Sequence, residues 1–461
     1  MSVAWTNMKS WLRAFGVALV AMLSVGCSVG EVQLVEQLSY NEAEHTLIMY
    51  LIADNNLASS IYQNAIDAEK GMVGALPQAR LVVYLDNANE TTLYEISYRS
   101  YGSGEHVRQC KKLKEYPQQT STTPKVMKSV LEDIKRLAPS RSYGLVMASH
   151  GSGWFPEPGS GTSYNEQKVA PLNPAVSGSS GVEYDFGALM QGGATRYMGW
   201  DYVRNESGGF QQTDESFIST AEVAEGLSPI HFDYIIFDAC FMASVEFLYE
   251  VKDCADYIIA SPVEILSCGL PYEAIVGNLM SKDHNLADIC DIVMDVYMRD
   301  NDFSFIKSLA IALIDCSELE ALARSVAKIY RRESVGDLVT TVEQKVDLER
   351  VQVLDRMKPA AFYDLEDYVC ELTDDEQLLT QFREALAKAV ITATNTEEIN
   401  SLGYTPDGMS FGYDNIEMKV GGKLQLCGLS CYVPRRSAPV TLEYYTQTKW
   451  AQNVYFAEGD E

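Results

Sequence analysis

Short apolar runs alternate with helix-like stretches along much of this chain. Runs such as LIMYLIAD, RLVVYLDN and YIIFDAC each end in polar residues. A run of four to eight apolar residues bounded by turn residues is typical of a fully buried strand. Because such runs alternate with helical spacing, the pattern predicts an α/β fold with a mostly parallel sheet flanked by helices.

The predicted elements follow from these runs and from their boundary residues. We predict strands at 44–57, 80–87, 91–100, 142–151, 234–240, 256–262 and 308–315, and helices at 59–72, 125–137 and 242–254. The alternating pattern of 91–100 predicts an exposed hairpin partner for the preceding strand. A mostly helical stretch then extends to residue 399, and DGMSFGY and CGLSCYVP favour strands near the C-terminus.

The segment 155–209 differs from its surroundings because it is rich in Gly, Ser and Pro. Few apolar runs occur in it, so we predict a long surface insertion with little regular structure. Loops of this length in a compact domain are usually functional or mobile.

The composition is that of an ordinary globular protein, with 461 residues of which 47% are hydrophobic. Sixty-four acidic and thirty-six basic residues give a net charge of −28. This field repels nucleic acid and attracts cationic ligands, so nucleic-acid binding is excluded as a function class. The alternative is that the acidity only keeps an exported protein soluble.

The N-terminus has the features of an export signal. Lys9 and Arg13 precede the apolar stretch FGVALVAML, and small residues lead to Cys27. This ending resembles the lipobox of bacterial lipoproteins, which implies acylation of Cys27 and anchoring at the outer membrane or cell surface. The alternative is a plain secretory signal or an uncleaved anchor.

Cysteine and histidine spacing indicates no preformed metal or disulfide scaffold. The ten cysteines are not closely spaced, so we predict no disulfide framework. No CxxC or HExxH motif occurs, and we predict no metal site, although one assembled across the fold stays open. The five histidines lie far apart in the sequence: His45, His106, His150, His231 and His284.

Two predicted strands end in reactive residues. The strand at 142–151 ends in His150 and Gly151, and the strand at 234–240 ends in Cys240. If these strands are neighbours, their carboxyl ends place an imidazole and a thiol in one groove, which is the minimum for a cysteine nucleophile with a general base. A helix beginning directly after Cys240 would favour the thiolate through its N-terminal dipole.

Asp238 precedes this cysteine by two positions. Side chains at i and i+2 of a strand project to the same face, so we expect the carboxylate beside the thiol. A substrate Arg or Lys would pair with this anion. The alternative is that Asp238 caps the following helix or accepts hydrogen bonds from loop amides. Glu264, after the next strand, is a candidate second acid.

Six stretches resemble one enzyme family. GLVMASHGSGW and FDACFMASVE carry the likeness, with TRYMGWDY, ASPVEILSCGLPY, FYDLEDYV and GLSCYVP in family order. The chain resembles clostripain-family cysteine peptidases of the caspase-like clan. The resemblance implies a caspase-like fold with a C-terminal α+β extension and a Cys240–His150 dyad. It also implies an oxyanion site at the backbone N–H groups of Gly151 and Cys240.

The resemblance further implies cleavage of proteins or peptides after Arg or Lys, with Asp238 in the S1 pocket. Relatives mature by cutting themselves between the histidine and cysteine strands, and the basic candidates here are Lys168, Arg196 and Arg204. The alternative is a permanent loop that is never cut. The chemistry requires no cofactor. Some relatives depend on calcium, but no calcium-binding loop is evident and no ligand is assigned.

We therefore divide the chain into four parts. These are a lipoprotein signal (1–27), a linker (28–44), a peptidase core (45–320) with its surface insertion (155–209), and a C-terminal helical and strand region packed on the core (321–461). Two other functions stay open: a thiol peptidase of the same clan with Asn or Asp specificity, and a non-catalytic surface lipoprotein that binds polypeptides or glycans. No sequence feature indicates an oligomeric state.

Overall fold

The computed structural model describes most of the chain after residue 41. The described ranges are 42–72, 80–100, 106–154, 198–201, 203–204, 210–211, 217–281, 284–330, 335–404, 410–420, 424–436 and 439–456. Residues 42–461 group into one compact unit. None of the described helices combines the length and the apolar character that a membrane crossing requires. Each described cysteine is a free thiol.

The described strands fall into one large sheet and several small ones. Their bounds are β1 (Ala43–Ile52), β2 (Arg80–Asp86), β3 (Thr91–Ser100), β4 (His106–Glu115), β5 (Ser140–Ala148), β6 (Met198–Trp200), β7 (Val203–Arg204), β8 (Phe210–Gln211), β9 (Phe217–Ile218), β10 (Phe232–Asp238), β11 (Ala255–Ala260), β12 (Ala310–Asp315), β13 (Arg356–Met357), β14 (Tyr363–Asp364), β15 (Val390–Asn395), β16 (Asn400–Tyr404), β17 (Ser410–Asn415) and β18 (Ser430–Cys431).

The described helices separate many of these strands. Their bounds are α1 (Ala58–Gly71), α2 (Pro124–Leu137), α3 (Thr220–Leu227), α4 (Val245–Val251), α5 (Tyr272–Leu279), α6 (Leu286–Arg299), α7 (Leu319–Ala327), α8 (Val335–Lys345), α9 (Leu365–Leu372), α10 (Glu376–Ala389), α11 (Pro439–Tyr445) and α12 (Lys449–Ala451). A short 3-10 turn (Cys316–Glu318) precedes α7, and a π turn (Gln452–Phe456) follows α12.

The large sheet has nine strands in the order β15-β12-β11-β10-β5-β1-β2-β3-β4. The five central strands are parallel to one another: β11, β10, β5, β1 and β2. Antiparallel strands extend the sheet on both sides. The chain moves from β1 to β2 in one direction and returns to place β5 on the other side of β1. This reversal is a topological switch point, where α/β sheets open a crevice at the carboxyl ends of their strands.

Two apolar layers cover the sheet. Alternate residues of β1, β5 and β10 contribute to one layer or the other, as the two-residue period of a strand requires. One layer includes α1, α5 and α6, and the other includes α2, α3, α4 and α7. The fold class predicted from the sequence, a mostly parallel α/β sheet between helices, is confirmed.

Local sequence explains how the helices begin and which side they bury. In α2, Thr123 is the N-cap and its side chain accepts a hydrogen bond from the backbone N–H of Val126, while Pro124 occupies the first turn. Met127, Val130, Leu131 and Ile134 are buried. This is the i, i+3, i+4, i+7 spacing of one helix face, so the helix packs its apolar side on the sheet.

Several elements differ from the sequence prediction, and the physical reason is clearest for three strands. β4 was not predicted, because the run HVRQCKKLKE is charged and lacks the apolar residues of a buried strand. Charged residues of this kind are common on edge strands. β15 lies inside the stretch predicted to be mostly helical. Its β-branched residues pair antiparallel with β12 at the other edge of the sheet. β6 lies in the predicted irregular insertion, where the backbone N–H of Gly199 donates to the carbonyl of His150.

We predict that Gly144→Ala destabilises the fold. A Cβ at this position would overlap the ring of Tyr234 on the neighbouring strand. The ring cannot retreat easily, because its hydroxyl donates to the carbonyl of Leu279 at 2.8 Å. Overpacking of this kind costs about 1–3 kcal/mol, so the denaturation midpoint should fall.

Gly277→Ala is the matched control. Its Cβ would have only one neighbour within 4 Å, the carbonyl oxygen of Gly71 at 3.8 Å. Because Ala favours a helix over Gly by up to about 1 kcal/mol, this variant should be neutral or slightly stabilised. Equal destabilisation of both variants would contradict the packing argument.

Candidate active site

The strand ends that carry His150 and Cys240 are neighbours. β5 and β10 pair in parallel, with Asp238 opposite Ala148. His150 and Cys240 therefore each lie two positions beyond the last residue of their strand. Because neighbouring strands lie about 4.8 Å apart, the two segments emerge side by side at the carboxyl edge of the sheet.

Gly151 brings these two segments into contact. A Cβ at Gly151 would lie 2.8 Å from the carbonyl oxygen of Cys240 and 2.9 Å from the sulfur of Met242. Only a residue without a side chain fits this approach. Gly153, with a φ of +56°, approaches the carbonyl of Phe241 in the same way. The His-Gly-x-Gly spacing thus has a steric reason.

An amide side chain contacts the imidazole of His150. Its Nε2 lies 2.5 Å from Oδ1 of Asn56, which follows β1 on the other side of β5. An amide oxygen only accepts, so Nε2 carries the proton and Nδ1 carries the lone pair. Burial lowers the pKa of His150 to about 4, so the ring is neutral at pH 7.

Sequence analysis did not identify Asn56. The available signal was the break of the first apolar run at Asp54-Asn55-Asn56. Strand β1 lies next to β5, and the run that follows it therefore reaches the same edge of the sheet. The switch point between β1 and β5 places the amide within reach of the ring.

The thiol of Cys240 is in a resting arrangement. It donates to the carbonyl of Ile265 at 3.6 Å. Burial raises the pKa of Cys240 to about 12, and the nearby Glu264 contributes. The sequence-based expectation of a thiolate favoured by a helix dipole is therefore wrong for this state. α4 begins only at Val245, with Ser244 as its N-cap.

Asp238 faces the layer that contains α1 and α5. Its Oδ2 accepts hydrogen bonds from the hydroxyl of Tyr272 at 2.7 Å, the N–H of Leu270 at 3.3 Å and the amide of Asn64 at 3.4 Å. Burial raises the pKa of this carboxyl to about 6, and the bonds from Tyr272 and Leu270 oppose the shift. Asp238 does not cap α4. A loop amide does bind it, and all three bonds from the described residues go to Oδ2.

Glu264 lies in the loop after β11, one residue before the carbonyl that accepts the thiol. Its Oε1 accepts hydrogen bonds from the hydroxyl of Ser401 at 2.7 Å and the N–H of Leu402 at 3.0 Å. Burial raises the pKa of Glu264 to about 7. The thiol therefore lies in the field of two acidic groups, Glu264 and Asp238.

The C-terminal region also reaches the site. Ser401 and Leu402 belong to β16, which pairs with β17. Burial raises the pKa of Tyr413 in β17, with contributions from Glu264 and Cys240. Tyr413 is 38% exposed. Sequence analysis placed no site residue in this hairpin, because its proximity depends on contacts far apart along the chain.

The remaining predicted residues divide into two groups. Cys27, Lys168 and Arg196 lie outside the described residues. Arg204 lies in β7, where it pairs with Phe210 of β8 in a short antiparallel ladder. Of the three candidate cleavage sites, Arg204 is the one that the structure describes, and its backbone is paired with a neighbouring strand.

Comparison with known proteins decides the family. The clostripain family model matches residues 192–456, which is more than half of the chain and includes Cys240. The chain belongs to the clostripain family. Like other clostripain-family proteins, it is a cysteine-type peptidase with a mixed α/β fold. No curated protein matches the sequence.

Solved structures of clostripain-family (C11) proteases are similar over almost the whole chain. An inactive zymogen C11 protease from Parabacteroides distasonis is 25% identical, with a TM-score of 0.65, 90% of this chain covered and 99% of the other. A secreted C11 cysteine protease from Bacteroides thetaiotaomicron, iotapain, is 28% identical, with a TM-score of 0.64 and coverages of 90% and 100%. A secreted C11 cysteine protease from the same organism, in complex with an irreversible peptide inhibitor, has the same fold at 24% identity, with a TM-score of 0.64 and coverages of 89% and 98%.

We predict that Asn56→Asp raises the pKa of His150. A carboxylate at this position would favour the imidazolium, whereas the wild-type amide does not offset burial. Histidine-selective NMR on a Cys240→Ala chain should show His150 titrating near pH 4 and moving upward in Asn56→Asp. The exposed His231, which pairs with Asp256, is the internal control and should not move. An unchanged His150 titration would contradict the contact with position 56.

Proposed function

We propose that this clostripain-family peptidase is an endopeptidase that cleaves after Arg or Lys through Cys240 and His150. The observation that carries the proposal is the shared edge of β5 and β10, where the segments that carry the thiol and the imidazole touch, close to the buried Asp238 and the partly buried Glu264. The peptide inhibitor bound to the Bacteroides thetaiotaomicron protease supports peptide substrates.

The chemistry follows from the tautomer of His150. Its Nδ1 takes the thiol proton, and the sulfur attacks the scissile carbonyl carbon. Backbone N–H groups of Gly151 and Cys240 hold the oxyanion, which the missing Cβ of Gly151 allows. His150 then protonates the leaving amine, and water hydrolyses the thioester with the same ring as base.

The two acids select the P1 residue. The hydrogen bonds that described residues make to these acids go to Oδ2 of Asp238 and Oε1 of Glu264, which leaves the other oxygen of each carboxylate for a substrate as far as that part of the chain is concerned. A guanidinium has five donors in a planar fork and suits this arrangement, and a lysine ammonium offers a point charge. The same cation offsets the unfavourable burial of both carboxylates.

The proposed function gives the uncut chain a low activity. A neutral imidazole and a thiol of raised pKa disfavour the ion pair that attack requires. We propose that cleavage within 155–209 activates the enzyme, at Lys168 or Arg196 before Arg204. The inactive zymogen of the Parabacteroides distasonis protease supports this order of events.

We also propose that the protein is exported and anchored through an acylated Cys27. The support is the basic, apolar and small-residue sequence that precedes this cysteine. Such a tether would present the peptidase at the outer membrane or cell surface, where extracellular polypeptides are the accessible substrates.

We expect turnover only of peptides with Arg or Lys at P1. A fluorogenic panel with Arg, Lys, Asn, Asp and Leu at P1, with and without calcium, measures this preference. Cys240→Ala should abolish turnover. Asp238→Asn should reduce kcat/KM for the Arg substrate by about 30-fold or more, since breaking a buried charge pair costs about 2–5 kcal/mol. Retention of the Arg preference in Asp238→Asn would contradict the assignment of the S1 acid.

Stability measurements show whether Asp238→Asn loses activity because it no longer recognises the substrate or because it no longer folds. The pKa of Asp238 is about 6 in the folded chain against an ordinary 3.8, so the folded state holds this proton more tightly. The free energy of unfolding therefore falls as pH rises from about 4 to 6, and Asp238→Asn removes that fall. The variant should be at least as stable as wild type at pH 7. Asp256→Asn, at an exposed carboxylate, is the matched control and should change neither property.

We expect purified wild type to contain a cut between β5 and β10, and Cys240→Ala to stay intact. N-terminal sequencing should place the new terminus after Lys168 or Arg196. A variant with both residues changed to Ala should remain one chain with low activity until an external protease cuts it. A wild-type enzyme that is fully active as a single intact chain would reject activation by self-cleavage.

A further inference from the structure

Two histidines and an aspartate lie close together at the amino-terminal end of the central strands, whereas Cys240 lies at their carboxyl end. His45 lies at the start of β1, Asp233 at the start of β10, and His284 between α5 and α6. Oδ2 of Asp233 is 3.8 Å from Nδ1 of His45 and 3.4 Å from Nε2 of His284. One ligand atom from each residue lies within 4.8 Å of the other two.

Hydrogen bonds fix the tautomer of both rings. Tyr234 donates its single hydroxyl proton to the carbonyl of Leu279, so Nε2 of His45, at 3.1 Å, must donate to the Tyr234 oxygen. Nδ1 of His284 lies 3.0 Å from the same carbonyl, which only accepts. The remaining nitrogens, Nδ1 of His45 and Nε2 of His284, therefore present lone pairs when the rings are neutral, and both face Asp233.

We propose that His45 Nδ1, His284 Nε2 and Asp233 Oδ2 form a binding site for a divalent transition-metal ion, with Zn²⁺ as the best fit. Nε2 of His284 presents its lone pair to the carboxylate at 3.4 Å, and Nδ1 of His45 does the same once the Ser142 hydroxyl rotates away from it, so a cation between these atoms would relieve their repulsion. Ligand atoms of a tetrahedral zinc with bonds of about 2.0–2.1 Å are roughly 3.3 Å apart. The observed spacing needs only a small side-chain rotation. Nitrogen ligands favour zinc over calcium, which prefers six to eight oxygens.

The surroundings match those of established metal sites. Ligating histidines almost always donate their second N–H to a carbonyl or another fixed acceptor, and both rings do so here. The absence of a side chain at Gly144 makes room for the Tyr234 ring that holds His45.

The site can open to a metal from the solvent side. The side chain of Asp233 is 37% exposed and that of His284 is 15% exposed. The hydroxyl of Ser142 lies 2.7 Å from Nδ1 of His45, and the carbonyl of Glu44 at 3.4 Å offers that hydroxyl another acceptor. Rotation of one serine therefore releases the lone pair, and a water molecule would complete the coordination.

The site would stabilise the protein and take no part in peptide cleavage. β10 rises about 3.3 Å per residue, which separates Asp233 from Cys240 by roughly 20 Å. The ligands come from β1 and β10, which flank β5, and from the connection between α5 and α6. A bound ion would thus join the centre of the sheet to the helices that cover it, and would raise the melting temperature by mass action.

The test measures zinc content and melting temperature on the full chain carrying Cys240→Ala, after chelator treatment and dialysis. We expect one equivalent of Zn²⁺ to bind and to raise the melting temperature, whereas Ca²⁺ and Mg²⁺ do not. His284→Gln and Asp233→Asn should lose both effects. His231→Gln is the matched control, since His231 forms an exposed pair with Asp256 at 2.9 Å and should keep both effects.

Cobalt distinguishes this site from the cysteines. Co²⁺ bound by two imidazoles and a carboxylate should give visible d–d bands without a thiolate charge-transfer band. A parent chain that binds no zinc would overturn the proposal, as would ligand variants that keep the full zinc content and melting shift. A strong thiolate band would also overturn it, because the metal would then lie on cysteine sulfur.

Discussion

The parallel pairing of β5 with β10 is the constraint on which the active site depends. Its register sets His150 and Cys240 at the same height, although each lies beyond the end of its own strand. Gly151 then closes the remaining gap, since its bare Cα allows the histidine loop to touch the carbonyl of Cys240. A shift of one residue in this ladder would place the two side chains on opposite faces of the sheet.

Two electrostatic requirements of the proposed site, binding of a cation and ionisation of the thiol, oppose each other. The carboxylates that would bind a cationic P1 side chain under the proposed function, those of Glu264 and Asp238, also raise the pKa of the thiol, because each opposes a further negative charge nearby. Under the proposed function, a substrate cation removes this conflict by neutralising the acids as it binds. Substrate binding would then remove the smaller, acidic contribution to the raised pKa of the thiol, while burial, the larger cause, would still act on it.

Features set by local sequence could be predicted, and features set by distant contacts could not. The apolar runs and their reactive ends predicted β5, β10 and the two residues of the proposed dyad. Asn56 and Tyr413 were missed because their nearness to the site comes from strand order and from the β16–β17 hairpin. The thiol pKa was predicted in the wrong direction, since burial depends on the whole fold. His45 and His284 are far apart in the sequence, and only the packing of α5 and α6 on the sheet brings them together.

The strand order β15-β12-β11-β10-β5-β1-β2-β3-β4 has a consequence for a chain nicked in its insertion. The strands of the two fragments would not be interleaved: β1 to β5 fill one half of the sheet, and β10 to β15 fill the other. Imidazole and sulfur would belong to different polypeptides, held together by the β5–β10 ladder, by side-chain hydrogen bonds such as that from Asn64 to Asp238, and by the shared core. Such a heterodimer would migrate as one species in a native gel and separate only when the fold is lost.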